Sequence, residues 1–257
     1  MTDRKRVLWG INDEEERLFL SRMSDLCDKS ENSGRIMYSK FLNPRQQMLL
    51  RERLEGFSDI SFFGGYTDAD RTVAAFVPNE WQEISYPLEF ILVSPTNKRT
   101  YSHRDYLGAI LNLGIVRELI GDIVITDDGA IIAVLSDISD FIMMNLSRVG
   151  SASVRLKYVE DISFLEGTKA FKTVSSTVSS MRLDCVLSSA INKSRSQTAG
   201  IIEEGLASVN YEVVKNTSYI VKDGDVLSVR GFGKMIVNAD GNLTKKGRIH
   251  IEFKKYV

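Results

Sequence analysis

The chain is short of several things, and each shortage closes off a class of protein. It has 2 cysteines, 2 histidines and 4 prolines in 257 residues. Cys27 and Cys185 stand far apart in sequence, each on the apolar face of a helical pattern. That argues against a disulfide and for a reducing, cytoplasmic compartment. The histidines are His103 and His250, and neither stands in a metal-ligand cluster, so no metal and no cofactor is expected. No apolar run reaches the roughly 18 residues that a membrane span needs. Residues 1–10 are basic but lead into no apolar run, so no signal peptide is read there. The net charge of −1 argues against a chain that is basic throughout, as many nucleic-acid binders are.

The even average hides an asymmetry. From Met181 onward there are 12 Lys+Arg against 8 Asp+Glu, whereas the residues before it hold 21 against 26. The last third is basic and the rest acidic, so any phosphate-binding surface is expected in the last third. The length suits two or three domains.

Residues 1–58 read as helical. Acids at 13–16 mark a helix start, and Phe19, Met23, Leu26 and Cys27 share one face. Asn43–Pro44 reads as a cap with Pro at the first helical position. Residues 60–63 and 71–77 read as strands around a Gly64–Gly65 turn. From residue 87 the order becomes strand 88–93, helix 104–113, strand 122–126, strand 130–135, helix 137–146 and strand 153–159. This βαββαβ order is that of an RRM-like, ferredoxin-like sheet with two helices on one face. RRM sheets stack bases on aromatics of their central strands. Residues 123–125 and 131–134 offer no aromatic, which argues against RNA binding through that face. Residues 161–180 read as a polar connector, an edge strand or a flexible tether.

His103–Arg104–Asp105 imitates part of a kinase catalytic loop. The fifth position after the Asp is Ile110, however, and no Gly-rich loop or Asp-Phe-Gly accompanies it. Ser102 or His103 instead reads as a helix cap. No catalytic residue is assigned. Exposed Lys98, Arg99 and Arg104 could form a second RNA contact.

Residues 181–237 carry the strongest pattern. Leu183, Val186, Leu187 and Ala190 make one helical face. Ser194–Arg195–Ser196–Gln197 is a capping box opening a second helix, which carries Ala199 and Ile202 inward and stops at Gly205. Strands follow at 208–210, 212–214 and 225–230. Lys193 and Arg195 flank the second helix start, where unpaired amides and the helix dipole favour an anion. Arg182, Arg230 and Lys234 are expected to join them on a phosphate backbone, with Ser194 in the cap and Gln197 bonding a base or sugar. Beyond Val237 a hairpin returns through Ile249, Ile251 and Phe253, and Lys245, Lys246 and Arg248 beside its turn are further phosphate-binding candidates.

These residues resemble the S4 RNA-binding domain. Its pattern is met by Arg182–Leu183–Asp184, Ser194–Arg195–Ser196–Gln197, Ile202 to Gly205, Val209–Asn210 and Gly224–Asp225. Tyr211 replaces the Gly that usually follows Val-Asn in the family. That counts against a type I′ turn here, although Asn210 can take a positive φ. Together with residues 102–123 and Thr244–Lys245–Lys246–Gly247–Arg248, the chain resembles the YlmH family of bacterial S4 proteins. The resemblance implies an α+β protein in three parts: a helical N-terminal domain (1–80), an RRM-like middle domain (85–165) and a C-terminal S4 domain of αL type (181–257, core 181–237). It also implies a cytoplasmic, non-enzymatic partner of ribosomal RNA and transfer RNA at the large ribosomal subunit, active in the rescue of stalled nascent chains. A pseudouridine-synthase-like enzyme using His103, Asp105 and Asp122 is one alternative. The other is a division-linked adaptor that binds a protein through its N-terminal domain.

Overall fold

Asp13 starts the longest helix by accepting the Glu16 N–H at 2.8 Å, and acids in the following turn suit the dipole. The computed structural model describes residues 3–54, 56–67, 69–78, 83–165, 171–239, 241–244 and 247–256. The chain divides into two units, Met1–Gly167 and Thr168–Val257.

The first unit opens with α1 (Arg4–Leu8), α2 (Glu14–Ser33), β1 (Met37–Leu42), α3 (Pro44–Leu54), β2 (Asp59–Phe63) and β3 (Thr72–Val77). Leu20, Met23 and Cys27 of α2 are buried with Leu49, Leu50 and Leu54 of α3, and Phe19 and Leu26 pack against them. The reading of residues 1–58 as helical is corrected at β1. This strand pairs with β3, which also pairs with β2, giving the antiparallel order β1-β3-β2. Six residues between two helices carry too little periodicity to announce a strand; pairing with β3 is what makes one.

The rest of this unit is β4 (Leu88–Pro95), α4 (His103–Leu111), β5 (Ile120–Thr126), β6 (Gly129–Leu135), α5 (Ser136–Asn145), β7 (Arg148–Val149) and β8 (Ala152–Tyr158). The expected βαββαβ order is present. The sheet is antiparallel with order β5-β6-β4-β8-β7, so β4 lies between β6 and β8 as two interleaved βαβ units require. Alternation along the strands gives it two apolar faces. Ile91, Val93, Ile123, Ile132 and Val134 join Tyr106 and Ile110 of α4 and Ile142 of α5.

The opposite face does not meet water. Phe90, Ala133 and Leu135 pack with Phe41 and Val73 of the first sheet. Ile131, Leu92 and Val124 pack with Tyr66, Ile162 and Leu165. The approach is close: a Cβ on Gly121 would lie 2.6 Å from the Phe41 ring, and one on Gly65 would lie 2.2 Å from Phe90. Asp122 ties the two sheets together. It accepts the Tyr66 hydroxyl and the Asp70 N–H at 2.7 Å each, and the Arg71 N–H at 3.1 Å. The Arg71 guanidinium donates to the carbonyls of Ile120, Phe41 and Arg117.

The second unit holds β9 (Phe171–Val178), α6 (Leu183–Ile191), α7 (Arg195–Glu203), β10 (Ala207–Val209), β11 (Glu212–Val213), β12 (Val226–Val229), β13 (Gly233–Asn238) and β14 (Ile249–Tyr256). The sheet order is β11-β10-β12-β13-β14-β9, antiparallel throughout. β9 lies in the stretch expected to be a connector. Of the two readings offered for it, edge strand is right and tether is wrong: β9 pairs along its length with β14. Leu183, Val186, Leu187 and Ala190 of α6 and Ile202 of α7 are buried against Leu227, Met235, Ile251 and Phe253. Each fully buried Val, Leu, Ile, Met or Phe side chain among these stabilises by roughly 1.5–3 kcal/mol. The inward face of α7 is Thr198 and Ile202, with Ala199 only half-buried.

Among the described residues, no helix is long and apolar enough to cross a membrane.

Candidate nucleic-acid interface

The start of α7 is built as its sequence requires. The Ser194 hydroxyl accepts the Gln197 N–H at 3.2 Å, and Gln197 Oε1 accepts the Ser194 N–H at 3.1 Å. Gln197 Nε2 has no protein acceptor among the described residues, which leaves a donor at the helix mouth. Ahead of the cap, Asn192 ends α6 in the left-handed region at φ 53°. Lys193 follows it and is exposed.

Asp184 organises the arginines. It is buried in the first turn of α6. Its Oδ1 accepts from Arg182 Nε at 3.1 Å and its Oδ2 from Arg182 Nη2 at 3.1 Å. Arg195 Nη2, from the next helix, reaches Oδ2 at 2.7 Å. The Cys185 N–H adds a fourth bond at 2.8 Å. Burial alone would raise the Asp184 pKa, but the hydrogen bonds from Arg182, Arg195 and the Cys185 amide outweigh it and hold the group well below the usual carboxylate range. The arginine side chains remain 37% and 57% exposed against 8% for Asp184. One buried anion therefore holds two cations side by side with their outer edges in solvent. Thr198 Oγ1 donates to the Asp184 carbonyl at 3.1 Å and pins α7 to α6.

Arg182, Lys193, Ser194, Arg195 and Gln197 therefore come together around one helix start. Arg230 and Lys234 form a second group at the β12–β13 turn. Arg230 is exposed, and its N–H bonds the Leu206 carbonyl at 2.9 Å. Lys234 Nζ lies 5.8 Å from the centre of the Tyr211 ring. Tyr211 itself overturns an expectation. Asn210 and Tyr211 both take positive φ, 48° and 68°, and form the two-residue turn between β10 and β11 without the Gly. Asn210 makes this tolerable: Nδ2 donates to Asp225 Oδ1 at 2.8 Å, and Oδ1 accepts the Val226 N–H at 2.9 Å.

Arg248 is elsewhere again, donating to the Thr177 hydroxyl at 2.9 Å and carbonyl at 2.6 Å. Lys245 and Lys246 lie outside the described residues. In the first unit Lys98 and Arg99 border one groove and Arg104 another. Arg99 lies 5.5 Å from the Tyr101 ring centre. Two contacts were not expected from the sequence: Asp184 holding Arg182 and Arg195, and Lys234 lying over the Tyr211 ring. The first was visible as an acid two residues after one arginine and eleven before another.

The carboxylates considered for catalysis are engaged. Asp105 caps α4 by accepting the Ser102 N–H and hydroxyl at 2.7 Å each, and Asp122 ties the two sheets together. Among the described residues, no group of three or more His, Cys, Asp or Glu could hold a metal ion.

Two family descriptions match the chain: "Putative RNA-binding domain in YlmH" over residues 79–162 and the S4 domain over residues 181–227. The chain is 32% identical over 247 residues to the ribosome-associated protein quality control protein P2 of Bacillus subtilis (strain 168), covering 94% of this chain and 95% of that one. Its fold is also similar to the structure of cell division protein ylmH from Streptococcus pneumoniae. There the identity is 24% and the TM-score 0.50, over 59% of this chain and 94% of that one. With a relative of this identity over nearly its whole length, and both family domains in place, the chain belongs to the YlmH family of S4-domain RNA-binding proteins.

Proposed function

We propose that this protein docks through the head of α7 on structured RNA of the large ribosomal subunit. There it acts as a cytoplasmic, non-enzymatic factor in clearing stalled nascent chains, with transfer RNA as a second RNA within its reach. Residues 1–80, 85–165 and 181–257 are its working parts. The observation that carries the reading is Asp184 holding Arg182 and Arg195 together beside the capped start of α7. Helix amides and paired guanidinium groups are what a phosphate backbone needs. The quality-control role named for the Bacillus subtilis relative supports the choice of the ribosome.

The test is sedimentation of tagged full-length protein through sucrose gradients at low and high salt. Wild type should travel with large subunits at low salt and leave them at high salt, and Lys193→Ala/Arg195→Ala should stay near the top at both. If wild type stays at the top even at low salt, or the double variant behaves as wild type does, this reading is wrong.

A second reading, docking of a protein partner by the N-terminal part, is favoured by Trp9. It is 80% exposed beside Arg6, Glu52 and Arg53. It predicts a crosslinked partner that Trp9→Ala releases and the arginine variants retain. Identical partner sets from wild type and Trp9→Ala would remove it.

A further inference from the structure

The face of the middle sheet on which sheets of this order stack bases is closed here by Phe41, Val73, Tyr66 and Leu165. RNA that reaches this part of the chain needs another surface. One groove, beside Leu92 and Ile131, sets Asp128, Glu160 and Asp161 against Lys157. A second, beside Tyr101, sets Asp127 and Asp128 against Lys98 and Arg99. Neither has the charge to hold a phosphate strand.

The third groove is different. It has a volume of about 470 Å³ and runs between α4 and the α5–β7 junction. Arg104 and Arg148 both line it, and both are exposed. Arg104 has no ion-pair partner among the described residues. Among the described residues the Arg148 side chain makes a single hydrogen bond, from Nη2 to the Ser151 carbonyl at 2.9 Å. The one acid in the lining is Asp105, whose carboxylate already accepts two bonds from Ser102. Asn112 and Asn145 add neutral polar groups. Asn145 Nδ2 is bound to the Phe141 carbonyl at 2.8 Å, which leaves its Oδ1 as an acceptor. Gly108 keeps the helix wall low: a Cβ there would meet nothing within 4 Å.

We propose that this groove is a second RNA site, separate in mechanism from the head of α7, in which Arg104 and Arg148 grip the sugar-phosphate backbone while Asn112 and Asn145 bond ribose hydroxyls. A pair of arginines reads backbone rather than sequence, so the site would add affinity and orientation, not base specificity. The inference rests on the RNA-docking reading above. It also separates Arg104 from Lys98 and Arg99, with which the sequence grouped it.

The experiment is equilibrium binding of full-length protein to purified large subunits over a salt series. It compares wild type, Arg104→Ala/Arg148→Ala, Gly108→Gln and Lys193→Ala/Arg195→Ala. Both arginines are on the surface, and Gly108→Gln projects a side chain into open groove from a helix, so thermal unfolding should not change. Removing two phosphate contacts should lower the salt slope by about 1.4, at roughly 0.7 per contact for single-stranded RNA, and weaken binding on the order of tenfold at low salt. Gly108→Gln should weaken binding by blocking the groove while both charges stay. Wild-type affinity and slope in both groove variants, with weakened binding in the α7 variant, would overturn the groove and leave the docking reading standing. No binding by wild type at low salt would overturn both.

Discussion

Arg195 donates to Asp184 Oδ2 at 2.7 Å across the junction of α6 and α7, and Arg182 binds both oxygens of the same carboxylate. Arg182–Leu183–Asp184 and Ser194–Arg195–Ser196–Gln197 are thus one physical unit. The acid has to be buried and charged so that two arginines can stand together without repelling each other out of place.

Asp184→Asn keeps the shape and removes the charge. RNA affinity should fall although no cation is lost, because Arg182 and Arg195 no longer share an anchor. Charge-assisted bonds of this kind contribute roughly 1.5–3 kcal/mol, so the second unit should lose about 2 kcal/mol. Filter binding alongside urea unfolding reads both effects. Unchanged affinity would mean that the arginines need no positioning.

Acid should find the same group. The Asp184 pKa is lowered in the folded protein, so its contribution to stability is complete above the unfolded value of about 4. That contribution is lost as pH falls below 4 toward the folded value. The midpoint of urea unfolding of the second unit should drop over that window, and Asp184→Asn should flatten the drop. An equally steep acid profile in the variant would assign the effect to other carboxylates.

Asn210→Ala should destabilise the second unit by about 2 kcal/mol. It removes two hydrogen bonds, each contributing roughly 0.5–1.5 kcal/mol, from a residue held at φ 48°. Asn210→Gly should recover the backbone part of that loss but not the bonds to Asp225 and Val226. Thermal melts of the three proteins separate the contributions.

Asp122→Ala should act on the first unit alone. It removes the three hydrogen bonds that the carboxylate accepts from the Tyr66 hydroxyl and the Asp70 and Arg71 N–H groups, at a cost of about 3 kcal/mol. Hydrogen exchange should quicken in β3 and β5 while the strands of the second unit stay protected. Nucleoside composition of ribosomal RNA should not change, as it would if Asp122 were catalytic.

Much of this protein could be read from local pattern. The α6 face, the Ser194–Gln197 cap and the βαββαβ order all follow from spacings within a few residues, where periodicity and capping chemistry act. β1 could not be read, because its six residues become a strand only by pairing with β3, some thirty-five positions away. β9 left its two readings open for the same reason. Its Ser/Thr-rich run suits an edge strand or a tether, and only β14, more than seventy residues later, decides between them.

The sequence by itself determined the family, the capped start of α7 and the basic bias of the last third, since these depend on residue type and short spacing. Tertiary structure alone decided which cations lie together. It brought Arg182 and Arg195 onto one buried acid, set Lys234 against Tyr211, parted Arg104 from Lys98 and Arg99, and covered the sheet face that sheets of this order leave open. The physical reason is range. Helix caps and turns are closed by neighbours in the chain, whereas charge pairing and burial depend on residues that only folding brings within a few ångströms.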